Sequence, residues 1–443
     1  MKGHWSRIVA GATVLLFFGL TGGAHAQLSQ QFTQIFNTIL KDRMILNPGA
    51  HKNHYVDAAA RAESLLTPSL NSLIVSNISS FPLTSTTPGV SFSFSGGELV
   101  SSTESLGPIF ADRATTIGRG RFSFGMNATY LDLTSFRGLA TDQMQFAFTH
   151  RDVNGDGIIG GNADSAVTEG DVINVTLGSH IKATIFAFYA TYGITSNLDL
   201  GVAVPLIHVS ISGTAHAVIS SFTYANQGIA YHFFGGDSAS PVLTTDVPYD
   251  QSATGLGDIA VRLKYCLSRG GADLGLLVDA RLPTGKKDDF MGTGKAAVTV
   301  AGLLSKRIGD FAPHLNLGYE IRSAELQSSR VVVKAGFDQK LLTGMTFAAD
   351  FLGTFDTQAN KAIKLFPGTA TIVDYSGALN KAIRTIPLSN IPDRNDDNLY
   401  NLSAGFRFAP SPSILFLANV LVPLNTGGLR APVAPTVGFS MNL

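Results

Sequence analysis

The chain is 443 residues long, 45% hydrophobic, 14% charged and electrically balanced, with 32 basic and 32 acidic side chains. That charge content is well under the roughly 25% of a soluble domain, and zero net charge without a long basic stripe speaks against nucleic acid as a partner. A single cysteine, Cys266, excludes an intramolecular disulfide framework and a multi-cysteine metal site.

Met1–Ala26 begins with Lys2 and Arg7, continues through an apolar stretch Ile8–Leu20, and ends Ala24-His-Ala26 before Gln27. This is the pattern of a secretory signal with its cleavage site. The apolar stretch falls short of the ~20 residues a spanning helix needs, and no later run approaches that length, so no transmembrane helix is expected.

Residues 27–118 form an N-terminal segment. Leu28, Phe32, Ile35, Phe36, Ile39 and Leu40 recur at helical spacing up to Pro48, and Asp57–Leu66 reads as a second short helix before Pro68. Residues 76–118 lack a clear period apart from Val90–Phe94. Two readings compete: a periplasmic or membrane-surface segment, or a plug folded into a barrel. The plug is favoured, because the apolar helix faces otherwise have nothing to cover them.

Residues 119–443 alternate apolar and polar side chains in stretches of about ten residues, the spacing of membrane-barrel strands. In Leu256–Leu267, Ile259, Val261, Leu263 and Tyr265 share one face, and Asp258, Ala260, Arg262 and Lys264 the other. The alternation predicts twelve strands: Arg119–Leu133, Val172–Tyr192, Leu198–Ile211, Leu256–Leu267, Leu274–Leu282, Ala296–Lys306, Pro313–Arg322, Arg330–Lys340, Met345–Phe355, Asn398–Phe408, Ser413–Leu424 and Val433–Leu443. Short turns and long loops alternate between them. Bacterial barrels keep short turns in the periplasm and long loops outside, which places both barrel ends in the periplasm. The expected fold is an all-β transmembrane antiparallel barrel with a partly helical N-terminal plug-like segment, in a bacterial outer membrane.

The chain ends Thr436-Val-Gly-Phe-Ser-Met-Asn-Leu443. Gly438, Phe439, Met441 and Leu443 resemble the C-terminal signal read by the barrel-insertion machinery, with Leu443 where a final aromatic is usual.

Several strings resemble outer-membrane barrels related to the phenol meta-pathway degradation proteins of Gram-negative bacteria, and more distantly the long-chain fatty-acid transporters. They are Tyr192-Gly-Ile-Thr-Ser-Asn-Leu-Asp-Leu-Gly-Val-Ala-Val-Pro205, Gly255-Leu-Gly-Asp-Ile259, Leu282-Pro-Thr-Gly285 with Gly292-Thr-Gly294, and Glu104–Phe122. The resemblance implies a barrel that carries hydrophobic or aromatic small molecules across the outer membrane. These motifs are turn and strand-end devices and do not identify a ligand. The fatty-acid transporters' N-terminal pattern is absent from Gln27–Val75, which leaves their lateral-exit mechanism unsupported.

Two constellations carry candidate chemistry. Asp152-Val-Asn-Gly-Asp-Gly157 with Ile159 matches the first half of a calcium loop, with Asp152, Asn154 and Asp156 as oxygen donors. Position twelve is Ala163, and Asp164 falls one residue late. An exposed Asx-rich turn and a weak calcium site both remain open, and no other cofactor is implied. The second constellation is the polar face of the barrel: Arg119, Arg121, Asp258, Arg262, Lys264, Asp279, Arg281, Glu320, Arg322, Lys334, Asp338, Lys340, Asp350 and Arg407. These either pair into structural ladders, because a buried lone charge is expensive, or include a basic subset that guides an anionic or amphiphilic solute. Charge reversal at Arg262 or Lys264 is expected to alter selectivity while the barrel still assembles.

His150, His208, His216, His232 and His314 lack metal-ligand spacing. Gly292-Thr-Gly-Lys295 fails as a phosphate loop, and no Gly-x-Ser-x-Gly elbow occurs. The reading is therefore non-enzymatic. It is a monomeric barrel, its partners outer-membrane lipid, the insertion machinery and a small solute, acting as a passive transporter of small hydrophobic, aromatic or amphiphilic compounds. The rivals are an adhesin or scaffold working through loops 134–171, 213–254 and 357–397, and an outer-membrane lipid enzyme.

Overall fold

A computed structural model of the chain describes residues 27–47, 54–79, 81–82, 92–95, 98–101, 105–152, 155, 157–159, 170–322, 328–358, 363, 365–374 and 382–443. The leader expected over Met1–Ala26 lies outside them.

Twelve antiparallel strands close into a barrel. In chain order they are β1 Phe122–Leu133, β2 Val172–Gly193, β3 Leu198–Ser220, β4 Thr244–Leu256 continuing as Ala260–Ser268, β5 Asp273–Arg281, β6 Ala297–Ser305, β7 Phe311–Arg322, β8 Arg330–Leu342, β9 Met345–Asp356, β10 Leu399–Ser411, β11 Ile414–Pro423 and β12 Ala434–Asn442. The ring shuts between β12 and β1, with Thr436 opposite Thr129. Closure runs to the final residue: the Leu443 amide donates to the Phe122 carbonyl at 2.8 Å. With no open edge, every strand backbone at membrane depth finds a partner.

The pleat sends alternate side chains in and out. On β7, Leu317 is 57% exposed while the neighbouring Asn316 is 4% exposed. Phe122, Phe124, Met126, Leu263, Tyr265, Phe406 and Val437 are likewise exposed, and Ser123, Asn127, Arg262, Lys264 and Arg407 are buried. Exposed apolar side chains around a closed wall form the lipid-facing band of an outer-membrane barrel. No helix among the described residues is long and apolar enough to cross a membrane.

Three strands extend past that band at the long-loop end. β3 runs to Ser220, and the upper part of β4 pairs residue by residue with it, from Thr244 opposite Val218 to Leu256 opposite Leu206. A further strand, Met144–Thr149, pairs with the start of β2. Most of the expected 213–254 loop is therefore strand. The alternation was invisible because side chains above the membrane have no reason to be apolar outside. Pro248 also reads as a strand breaker, but it is tolerated in a strand paired on one side only.

The N-terminal segment packs at this same end. Helices α1 Gln31–Asn37, α2 His54–Arg61 and α3 Thr67–Ser79, with the adjoining helical turns Leu28–Gln30, Thr38–Asp42 and Ala62–Leu66, carry Leu28, Phe32, Ile35, Phe36, Ile39, Leu66, Leu70 and Ile74, all nearly fully buried. They share one apolar cluster with inward-facing barrel residues, among them Leu131, Leu133, Val175, Leu177, Ile181, Val209, Ile211 and Ala215. Each such side chain withdrawn from water contributes roughly 1.5–3 kcal/mol. Phe36 lies against Phe146 and Phe148, with centroids 6.1 and 5.5 Å away. Ile45 and Leu46 pair with Phe233 and His232 of the β3–β4 connection.

Two sequence expectations are corrected. The helix expected over Asp57–Leu66 does not end before Pro68: α2 continues through the π-helical turn Ala62–Leu66 into α3, and Pro68 follows just after that wider turn. The interior is also not uniformly hydrophilic. Its long-loop half is apolar on the side of β1, β2 and β3, where the helices pack, while inward charges line β5, β7 and β8 out to their long-loop ends.

Candidate functional site

The polar lining of the interior is built by the period of two along neighbouring strands. Arg262 and Lys264 come from β4, Asp279 and Arg281 from β5, His314, Asn316, Glu320 and Arg322 from β7, Arg330, Lys334 and Asp338 from β8, Asp350 from β9 and Arg407 from β10. Registry brings opposite charges together. Arg262 and Asp279 are opposite across β4 and β5 and meet at 2.7 Å. Arg330 binds Glu320 at 3.1 Å across β8 and β7, and Arg322 lies 3.5 Å from Asp356. Lys264 is 3.8 Å from Asp199 of β3.

Many of the remaining polar groups hold a segment of this chain. Residues 105–117, an inner strap just before β1, run around the wall of the short-turn half and bond to successive strands. The Arg407 guanidinium donates to Leu106 O at 3.0 Å, and the Leu106 amide donates to Thr346 Oγ1 at 2.8 Å. Asp350 accepts the Phe110 amide at 3.0 Å, while Lys334 Nζ donates to Phe110 O at 2.8 Å. Asn316 accepts the Asp112 amide and donates to the Asp112 carbonyl, at 2.7 and 2.8 Å. The Ala114 amide donates to Ser305 Oγ, and the Ile117 amide to Asp199. Arg113 pairs with Asp338, which also accepts from Ser105. His314 bridges Asp350 and Asp338, at 2.6 and 3.5 Å. The strap lacks periodicity because its backbone is satisfied by the wall and not by itself.

Not every predicted lumen residue sits on this wall. Arg119 is exposed in the turn before β1, and Arg121 beside it is half-buried. Lys340 is half-buried at the β8–β9 turn. Asp258 lies where β4 bends, between its two parts. Its carboxylate accepts the amides of Gly285 and Thr293, both at 3.0 Å. The Gly255–Ile259, Leu282–Gly285 and Gly292–Gly294 strings thus meet in one clamp that docks the β5–β6 loop on the bend. Arg330, Asp199 and Asn316 were missed. Arg330 shares the register of Lys334 and Asp338, so alternation alone contained the signal, whereas the wall partners of the strap carried none.

A cavity remains between the helices and the strap. Its atom-free space is about 930 Å³, partly open to solvent. Leu277, Val332, Leu352 and Leu399 supply apolar wall, and Arg262, Arg281, Glu320 and Lys334 supply charge. Pro82, just after α3, also lines it.

At the long-loop end Tyr55 donates to Asp171 O at 2.9 Å, and His232 Nδ1 lies 2.6 Å from Asp171 Oδ2. Burial, with the Asp171 charge adding to it, holds the Tyr55 phenol well above its usual range and so protonated. Arg137 grips Asp397 through two nitrogens, at 2.8 and 2.7 Å. Burial pushes the nearby Arg430 down to about 10, against the opposing pull of Asp397.

Of the calcium-loop residues, Asp152 accepts the Gly155 and Gly157 amides, each at 2.8 Å, as an Asx-type turn does. Asn154, Asp156 and Asp164 lie outside the described residues. Among the described residues no group of three or more His, Cys, Asp or Glu could hold a metal ion. Cys266 is a buried free thiol.

A family model described as "Putative MetA-pathway of phenol degradation" matches residues 151–428. No curated protein matches the sequence. Among solved structures, an outer-membrane channel from Pseudomonas putida F1 is 11% identical over 75% of this chain and 99% of its own, at a TM-score of 0.43. A FadL homologue from Pseudomonas aeruginosa is 10% identical over 73% and 89%, at 0.31. The toluene transporter TbuX from Ralstonia pickettii is 14% identical over 83% and 98%, at 0.28.

Proposed function

Because the chain belongs to the family described as a putative MetA-pathway of phenol degradation, matched over more than half its length, we propose that it is a passive outer-membrane channel for small hydrophobic, aromatic or amphiphilic compounds. The observation that carries this is the cavity inside the barrel, apolar on much of its wall and charged at chosen points. Ligand sites have this character: a mostly apolar surface with a few placed polar groups.

The geometry supports a two-barrier path. With short turns in the periplasm, the helical segment faces outward and stands between the outside and the cavity, while the strap narrows the way below. A solute entering past the helices loses water against Leu277, Val332 and Leu352 and presents any polar group to the wall charges. Passage down the gradient then needs small displacements of helices and strap rather than a rearranged wall. The helical segment acts as the plug. The protein acts as a monomer, delivered by the leader and inserted through Gly438, Phe439, Met441 and Leu443. Phe439 presents an aromatic ring there, 5.6 Å from that of Phe416.

The test is the initial uptake of radiolabelled phenol by cells that express the full chain or carry an empty vector. Faster uptake with the full chain supports a channel, and equal rates contradict it.

A further inference from the structure

The charges lining the cavity are unequal. Arg262, Arg281, Arg330 and Lys334 face it, against the carboxylates of Asp279 and Glu320. Arg262 is matched by Asp279 and Arg330 by Glu320. Among the described residues, Arg281 and Lys334 have no carboxylate at ion-pair distance. Asp112, Asp279 and Asp350 act on Lys334, and Glu320 and Asp258 on Arg281, from farther away.

What these two cations touch is backbone. Arg281 donates to Ser79 O and, at 3.4 Å, to Phe81 O, at the end of α3. Lys334 donates to Phe110 O of the strap. Each surplus cation therefore holds one of the two segments that restrict the bore, and holds it through neutral carbonyls. A carboxylate brings a full opposite charge that a carbonyl lacks, and on arginine it can accept two parallel hydrogen bonds where a carbonyl accepts one. A carboxylate in the cavity thus competes effectively for either cation, and winning one loosens the segment that the cation was holding.

The two positions are well separated. Arg281 is level with Ala297 and Arg322, and Lys334 with Asn316, six places along β7. At ~3.3 Å per residue this is about 20 Å, more than a small solute spans.

We infer that the cavity is a two-station site for the anionic group of a small aromatic or aliphatic carboxylate, with Arg281 at the long-loop station and Lys334 at the short-turn station. At each station the solute replaces a backbone carbonyl of the obstructing segment, so that binding itself frees the way onward. This rests on the channel reading and narrows its substrate to amphiphiles with one negative charge.

The test uses the full chain in nonionic detergent, with benzoate and its uncharged analogue benzamide as probes in equilibrium dialysis at pH 8. Arg281→Gln and Lys334→Gln keep a side-chain donor for the carbonyls while removing charge, and Arg281→Lys keeps the charge. The wild type binds benzoate at least tenfold more tightly than benzamide. The wild type binds two benzoates, each glutamine variant loses one of the two sites and leaves benzamide unchanged, and Arg281→Lys retains both. Benzoate stoichiometry unchanged in both glutamine variants, or equal loss for both probes, overturns the proposal. Benzamide bound as tightly as benzoate by the wild type also overturns it while leaving the channel reading intact. A wild type that binds neither probe counts against the channel reading itself.

Discussion

Asp350 joins the wall of the barrel to the strap inside it. One carboxylate oxygen accepts the Phe110 amide at 3.0 Å, and the other lies 2.6 Å from His314 Nε2. Asparagine at this position keeps the shape but converts one acceptor to a donor. Asp350→Asn therefore leaves either the amide or the imidazole unsatisfied, at a cost of about 1–3 kcal/mol. Hydrogen exchange at the Phe110 amide is expected to speed up in the variant. Unchanged protection there means the strap is held by something else.

The sequence suggested that reversing Arg262 tunes selectivity in an intact barrel. The structure leads to a different expectation, because Arg262 is buried and bound to Asp279 at 2.7 Å. Arg262→Glu sets two carboxylates against each other in a closed space, and breaking such a pair typically costs about 3–5 kcal/mol. The variant should unfold at a clearly lower temperature in a heat-modifiable gel-shift assay. A wild-type transition temperature refutes the expectation.

Gly292 approaches Asp258 so closely that an added Cβ would collide with the carboxylate and with Gly285. Gly292→Ala should release the clamp at the bend of β4 while β4 and β5 stay paired below it. Limited proteolysis is the readout, and new cleavage within 284–293 is expected. A loop that resists protease as well as wild type would show the clamp to be dispensable.

Tyr55 ties the helical segment to the loops above the barrel. Tyr55→Phe removes the donor to Asp171 O and strands a buried acceptor, worth about 1–3 kcal/mol. Faster hydrogen exchange across α1 and α2, with the strand amides unchanged, is the predicted outcome. Equal exchange would mean that apolar packing alone docks the helices.

How much of this was legible in the sequence follows from what selects each residue. Phe122, Leu263, Leu317 and Val437 had to be apolar because lipid lies outside them, so alternation located the wall and counted its strands. Above the lipid that constraint ends, which is why Thr244–Leu256 looked like loop although it pairs throughout its length with β3. Inward charges such as Arg262 and Lys334 were visible by register, but their partners were not. Leu106, Phe110 and Asp112 bond to β10, β9, β8 and β7 from more than two hundred positions away in the chain, and no local pattern encodes such a pairing. The apolar stripe Leu28–Leu40 showed that something must cover it. That the cover is the inward face of β1, β2 and β3 emerges only once the barrel closes.

The N-terminal helices pack in the long-loop half of a barrel that closes without them, leaving the cavity below. Single-channel conductance in planar bilayers tests it most directly, comparing the full chain with one lacking residues 28–79. The barrel seam from Phe122 to Leu443 does not involve those residues, so the shortened chain is expected to assemble. Small or absent currents are expected for the full chain and a stable, larger conductance for the shortened one. Equal conductance of the two would contradict it.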